Sequence, residues 1–403
     1  MEKSKLLDCI DNVLDFARYT LGLQSNNILI YFFIMRIAMI GQKGIFVTHD
    51  GGIETHVENL SKTLAEMDHQ VFVYSRKHYT PRKLMQKSGA KGLKLIFTPS
   101  INTKYLDAIT HTLTSTIHAL FQKYDVIHYH GVGPSVLSFI PRILKWRVKT
   151  VVTFHSQDRY HKKWGRFASK ILQLGEWTAC NFPDETIAVS KTIKRLCKME
   201  YNKEVNYIPN GVKVWEVQGS DKLKKWGLEP DKYILSVARF IRHKGLHWLI
   251  KAYHKLDTDK KLVLVGESPY PSEYKDYLVN LAKGDDNIIF TGYQTGEHLD
   301  QLFTNAYMYV HPSEAEGLAI TILEAMSYGR TVLISDIPEN LEAMGDYGRY
   351  FKTGNVKDLY QKMKELVADS EYVKITGEKA KNFVGEEYAW DKITTEILQL
   401  YKK

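Results

Sequence analysis

The sequence predicts an α/β protein built from two doubly wound parallel-sheet domains, and three observations carry that prediction. The chain has 403 residues, long for one hydrophobic core and suited to two. From Arg36 onward short apolar runs alternate with helical periodicity, the pattern of parallel strands joined by crossover helices. Near the middle, the turn residues Pro209-Asn210-Gly211 interrupt the series, and a second series of the same kind follows.

In the first series the strand candidates are Arg36–Ile40, Gln70–Tyr74, Leu93–Phe97, Val126–Tyr129, Thr150–Phe154, Ile187–Val189 and Asn206–Ile208. Between the first two, Glu54–Glu66 reads as a helix with Val57, Leu60 and Leu64 on one face. The second series runs Tyr233–Ala238, Lys261–Val265, Ile288–Phe290, Met308–Val310 and Thr331–Ile334, and Trp390–Tyr401 closes the chain as an amphipathic helix. The expected division is an extension at 1–34, a first domain at 35–212, a second at 213–385 and a C-terminal helix at 386–403 packing back on the first domain. The extension reads as dispensable or as a surface helix over Lys5–Tyr19. Its apolar run Ile28–Ile34 meets Arg36 long before the ~20 residues of a membrane span, and no signal-peptide pattern precedes it.

Cys9, Cys180 and Cys197 are widely spaced, which suits a reduced protein without a disulfide framework or zinc site. The formal charge is +9, concentrated in the first half: Arg76 to Lys94, Arg142 to Lys149 and Lys162 to Lys170. That basic face is either solvated surface or a contact for an anionic membrane. Nucleic acid is disfavoured, because no recognition motif accompanies the charge.

In sheets of this class ligands sit beyond the carboxyl ends of the strands, and that rule selects the candidate residues. Gly41-Gln42-Lys43-Gly44 follows the first strand but lacks the Gly-x-Gly-x-x-Gly of a dinucleotide site. Asp50-Gly51-Gly52 instead precedes the first helix, where backbone amides can meet a phosphate at the positive helix end. After Tyr233–Ala238 come Arg239 and Lys244, two cations on one loop suited to a diphosphate. After Met308–Val310 come Glu316, Gly317 and Leu318, then Glu324 on a helical run; carboxylates so placed accept hydrogen bonds from sugar hydroxyls. His155 ends the strand Thr150–Phe154, and His130 ends Val126–Tyr129.

Arg239 and Lys244 together with Glu316-x7-Glu324 resemble the retaining glycosyltransferases of family 4, and the resemblance runs from Arg36 to the C-terminus. The stretch from Thr153 through His155, Asp158 and Arg159 to Gly165 is similar to a subgroup that builds bacterial surface polysaccharides, some of them rhamnosyltransferases. The resemblance implies a GT-B fold, two Rossmann-like domains facing across a cleft. It implies that Arg239 and Lys244 hold the donor diphosphate, Glu324 the ribose and Glu316 the sugar. Gly51, Gly52, Gly317 and Leu318 would line the donor, and His155 would reach it from the opposite lobe. His130, Asp158 and Tyr293 are secondary candidates. The implied partners are a nucleotide sugar, a glycan or lipid-linked acceptor and an anionic membrane surface; the implied place is the cytoplasmic face of the membrane. Gly266-Glu267-Ser268-Pro269 lacks the family's usual second glycine, and Lys213 stands where an acid is common.

No cofactor or metal is expected. Asp257-Thr258-Asp259 has the spacing of a manganese site, but it lies at the amino end of Lys261–Val265, the wrong edge for ligands. Two rivals stay open at this level. One is an epimerase or hydrolase of the same fold; the other is a non-catalytic nucleotide-sugar-binding subunit.

Overall fold

The computed structural model describes residues 34–46, 51–80, 91–103, 106–157, 166–216, 218–268 and 272–403. The candidate Asp158, the proposed helix over Lys5–Tyr19 and most of the basic residues at 82–91 and 162–166 lie outside them.

Two sheets form, both wholly parallel. The first contains β1 (Arg36–Ile40), β2 (Gln70–Ser75), β3 (Leu93–Phe97), β4 (Val126–His130), β5 (Lys149–Phe154), β6 (Glu185–Ala188) and β7 (Asn206–Tyr207), in the order β3-β2-β1-β4-β5-β6-β7. The second contains β8 (Tyr233–Val237), β9 (Lys261–Val265), β10 (Ile288–Gly292), β11 (Met308–His311), β12 (Val332–Ser335) and β13 (Gly348–Phe351), in the order β10-β9-β8-β11-β12-β13. Both orders reverse beside the first strand of the series, which opens a crevice at the carboxyl edge.

Central strands buried on both faces read as continuous apolar runs. Ile37 and Met39 face one cluster while Ala38 and Ile40 face another, as the period of two requires. The first cluster is covered by α1 (Gly52–Glu66), through Val57, Leu60 and Leu64. On the opposite face lie α2 (Asp107–Leu120), α3 (Val132–Ser135), α4 (Phe139–Leu144) and α5 (Arg166–Asn181); Ala119 and Ala179 pack there. Then α6 (Lys191–Tyr201) leads to β7 and the crossing into the second domain.

The second domain carries α7 (Leu246–Tyr253), α8 (Glu273–Leu281), α9 (Glu297–Thr304), α10 (Ile320–Ser327), α11 (Pro338–Met344), α12 (Val356–Ala368) and α13 (Ser370–Glu387). The chain then crosses back. Val212 donates its amide to Tyr388 and bridges Ala389, so outgoing and returning strands run side by side. Beyond them α14 (Trp390–Lys402) lays Trp390, Ile393, Ile397 and Tyr401 on α1, inside the first domain's core. The C-terminal helix does pack back on the first domain.

Sequence and structure differ at β13, which the apolar pattern does not show. It is an edge strand with Arg349 and Tyr350 exposed and only Gly348 and Phe351 buried. Among the described residues no helix is long and apolar enough to cross a membrane.

Candidate active site

The carboxyl edge of the second sheet gathers a charged cluster. β8 delivers Arg239 onto an exposed loop, and among the described residues its guanidinium has no partner. The loop tightens into a turn at Arg242–Lys244 and enters α7 through Gly245 at φ +68°. A side chain there would also strike the Pro312 carbonyl, 2.0 Å from the position of an added Cβ. That close approach draws the β8 and β11 loops together, and Glu314 donates its amide to the His243 carbonyl at 2.8 Å.

Lys244 Nζ therefore reaches Glu316 Oε1 at 2.5 Å, with side-chain exposures of 14% and 10%. His311, at the end of β11, places Nε2 2.8 Å from the same oxygen, while its Nδ1 faces the Tyr309 hydroxyl at 3.0 Å. Burial would raise the Glu316 carboxyl, but Lys244 and His311 together hold it well below the ordinary range. Burial lowers His311, against the pull of Glu316. The result is an ionised carboxylate beside a cation at the mouth of a crevice. Glu324 lies half-buried on α10, and Tyr293 follows β10 on the same edge.

The first domain faces this cluster with histidines. His155 follows β5, His130 ends β4 and His56 lies on α1; all three are buried. His130 Nδ1 lies 3.2 Å from His155 Nε2, and the His56 ring meets His155 edge-on at 4.7 Å. Behind them His128 spans Tyr401 of α14 and Thr153, each at 2.7 Å. Burial lowers the pKa of His128, His130 and His155 well below that of free imidazole and His56 to about 4, so the cluster is neutral at pH 7.

Two contacts join the lobes here. An added Cβ on Gly317 would fall 1.7 Å from the His155 carbonyl, so the donor-side loop lies directly on the first domain's backbone. Asn210, in the crossing, holds His56 Nδ1 with its Oδ1 at 3.0 Å and donates its Nδ2 to the Leu318 carbonyl at 3.0 Å. The structure thus brings Lys244, Glu316, Gly317 and Leu318 together with His155 and His130. Gly52 faces Ile320 of α10, 3.9 Å from its would-be Cβ.

Two sequence expectations change. The Gly51 amide, read as a phosphate donor, is bonded at 3.0 Å to Glu54, whose other oxygen takes the Lys43 amide at 3.1 Å. A carboxylate already occupies that part of the positive helix end. Arg76, read as part of a basic face, is buried and paired with Asp107 at 2.8 Å. The sequence reading also missed His56, His128, His311 and Asn210. Only His311 carried a usable signal, its place at the end of a strand; the others meet across long separations.

The Asp259 carboxylate sits at the amino edge of β9, engaged by Lys232 at 2.6 Å and Lys260 at 3.1 Å. Among the described residues, the group with metal-ligand spacing is His56, His130 and His155, whose nitrogens lie within 4.8 Å of one another. Three imidazoles without an oxygen ligand suit a borderline transition-metal ion such as zinc, not magnesium.

Two family models match, Glycosyltransferase Family 4 over residues 50–215 and Glycosyl transferases group 1 over residues 220–383. The sulfoquinovosyl transferase SQD2 of Arabidopsis thaliana is 25% identical over 387 residues, covering 90% of this chain and 72% of its own. Sucrose-phosphate synthase of Thermosynechococcus elongatus superposes with a TM-score of 0.77 at 20% identity, over 91% of this chain and 98% of its own. The HepE protein of Anabaena, in complex with UDP-glucose, gives 0.75 at 16% identity, over 91% and 99%. With one model on each lobe and both lobes superposing as a unit, the chain is a member of the GT-B glycosyltransferases.

Proposed function

We propose that this protein is a retaining, metal-independent glycosyltransferase that moves a hexosyl or deoxyhexosyl group from a nucleoside diphosphate sugar to a glycan hydroxyl. On this reading the acceptor is lipid-linked and the product belongs to a cell-surface polysaccharide, assembled at the cytoplasmic face of the membrane. The observation that supports it most is the Lys244–Glu316–His311 cluster, whose neighbouring Gly317 packs so closely on the His155 backbone that a Cβ added there would overlap the His155 carbonyl. It puts a cation for phosphate and an ionised acceptor of sugar hydroxyls on one wall, and histidine on the other.

Chemistry on this arrangement rests on positioning and charge stabilisation. The bond between the anomeric carbon and the diphosphate oxygen breaks, and Arg239 and Lys244 take up the charge developing on phosphate. Lys244 keeps protons free for phosphate while its pair with Glu316 fixes the ammonium in place. Glu316 and Glu324 orient sugar and ribose hydroxyls. His155, neutral and held by His130, offers a ring nitrogen to the sugar. The acceptor oxygen bonds to the anomeric carbon on the face the phosphate leaves, and its proton passes to the departing phosphate oxygen.

A thermal-shift screen of nucleotide sugars identifies the donor, because a ligand that binds only the folded state raises its apparent stability. Donor turnover is then followed with and without acceptor, in excess EDTA. Turnover that needs acceptor and ignores EDTA supports the reading. Free sugar or an epimer formed without acceptor would replace it with the hydrolase or epimerase reading, and binding without turnover would leave a binding subunit. Rescue of an EDTA-silenced enzyme by a metal would overturn the metal-independent part.

A further inference from the structure

The helix α2 is turned inside out. Its buried side chains include Asp107, His111, Thr112, Ser115 and Thr116, while Leu113 and Ile117 are exposed. Three of these inward polar groups have long-range partners: Asp107 pairs with Arg76, Ser115 meets Thr98 at 2.7 Å and Thr116 meets Tyr129 at 2.9 Å. The outward stripe recurs at helical spacing and ends at Phe121, 81% exposed. An amphipathic helix on a free surface does the opposite.

The stripe does not stand alone. The helices α4 and α5 lie on the same face of the first sheet, as right-handed crossovers require: α5 shares a cluster with α2 through Ala179 and Ala119, and α4 packs against α2. Leu144, which ends α4, is 66% exposed and Trp146 just beyond it 68%, and Trp177 of α5 is exposed beside Phe182. Exposed large apolar residues gathered on one face of a domain mark an interaction surface. Its charge says what kind. Lys123, Arg147 and Lys170 stand exposed among these residues with no carboxylate partner among the described residues, and the Arg147 guanidinium lies 4.9 Å from the Trp146 ring. The buried acids Asp107 and Glu176 point inward, and Asp184 is paired with Arg142 at 3.3 Å. Apolar side chains, aromatic rings and unpaired cations on one face match the boundary of an anionic bilayer, where acyl chains, glycerol backbone and phosphate follow one another in depth.

We infer that the α2–α4–α5 face of the first domain is a membrane-docking surface that inserts shallowly into an anionic lipid leaflet. The helix α2 lies in the interfacial plane, with Ile117, Phe121 and Trp146 at acyl depth and Lys123 and Arg147 at the phosphates. Phe121 and Trp146 precede β4 and β5 and so mark the amino edge of the sheet, while α2 begins at the carboxyl edge, where the cleft opens; lying in the interfacial plane, the helix spans the two. A lipid-linked acceptor would then meet the site without leaving the bilayer. That last consequence rests on the function proposed above; the docking itself does not.

The test uses the full chain, with vesicles of phosphatidylcholine alone or mixed with phosphatidylglycerol, without donor or acceptor. We expect co-sedimentation with the mixed vesicles, weakened but not abolished by high salt, and quenching of tryptophan emission by brominated acyl chains. The double variant I117E/F121E should lose at least tenfold in vesicle affinity while keeping its melting temperature and its transfer to a water-soluble acceptor. If it misfolds, Phe121→Ser alone poses the same question at an exposed position. Lys123→Ala with Arg147→Ala should remove the preference for anionic vesicles. Undiminished binding by the apolar variants, or no binding by the parent chain, would overturn the inference. So would a solution dimer that I117E/F121E splits, which would make the face a protein interface. Failure here leaves the transfer assay untouched, so the two readings fail separately.

Discussion

Lys244 illustrates how a residue's role changes once its surroundings are known. An exposed lysine at a helix start would be removable at little cost in stability. In the structure it neutralises a buried carboxylate, and removing one partner of such a pair leaves an uncompensated charge. The Lys244→Ala variant is therefore expected to lose transfer and also about 3 kcal/mol of stability, read by denaturant titration. Adding Glu316→Gln should recover most of that stability but no activity. A Lys244→Ala variant with parental stability and turnover would remove the pair from both roles. The histidines carry a second residue-scale expectation. His56 titrates at 6.5 when unfolded and at about 4 when folded, chiefly through burial. Its contribution is complete above pH 6.5 and is lost as pH falls from 6.5 toward 4, about 3 kcal/mol for this group alone. His128, His130 and His155 act in the same direction. Melting temperature should fall steeply over that window at constant salt, and His56→Gln should shallow the fall.

At the scale of elements, most of the architecture is legible because buried parallel strands are apolar on both faces. Val71 and Phe72 sit on opposite faces of β2 and are both buried, so the run shows without its partners. The reasoning fails at β13, where edge position leaves only one large residue, Phe351, to bury. The site was half legible. Residues at strand ends, such as Arg239, Glu316 and His155, follow from topology, whereas Asn210 and His56 meet across 154 residues and no local pattern announces them. The interlobe loop makes the corresponding prediction. Gly317→Ala puts a methyl into the His155 carbonyl and must part the lobes. A displacement near 1 Å at the site costs on the order of 10²-fold in rate, so turnover should fall by about that factor, and the forced overlap should also lower stability by about 1–3 kcal/mol. Asn210→Ala removes two buried hydrogen bonds and orphans His56, an expected loss of about 2 kcal/mol.

At the scale of the whole molecule the two sheets are distinct but the covalent domains are not separable. One apolar cluster runs through both lobes, from Phe154 and Ile193 to Leu235 and Ile322. The C-terminal helix, last in sequence, is core to the first domain: Ile393, Ile397 and Tyr401 lie with Ile37 and Leu60, and Tyr401 closes the hydrogen bond to His128. A fragment of residues 35–212 therefore lacks one layer over half of its sheet, leaving Leu64 and Val57 bare. We expect it to express as insoluble or molten protein. The same fragment joined by a flexible linker to residues 388–403 should be soluble and show a cooperative melt, because the added helix restores the missing cover. Both fragments start at residue 35 because Met35 is buried and its backbone nitrogen is bonded to His69 at 3.2 Å. Equal solubility and equal melting of the two fragments would show that α14 decorates the first domain without completing it. The intact chain should melt in a single transition, and donor should raise that transition as a whole, because the ligand, the crossing and α14 all tie the same two lobes together.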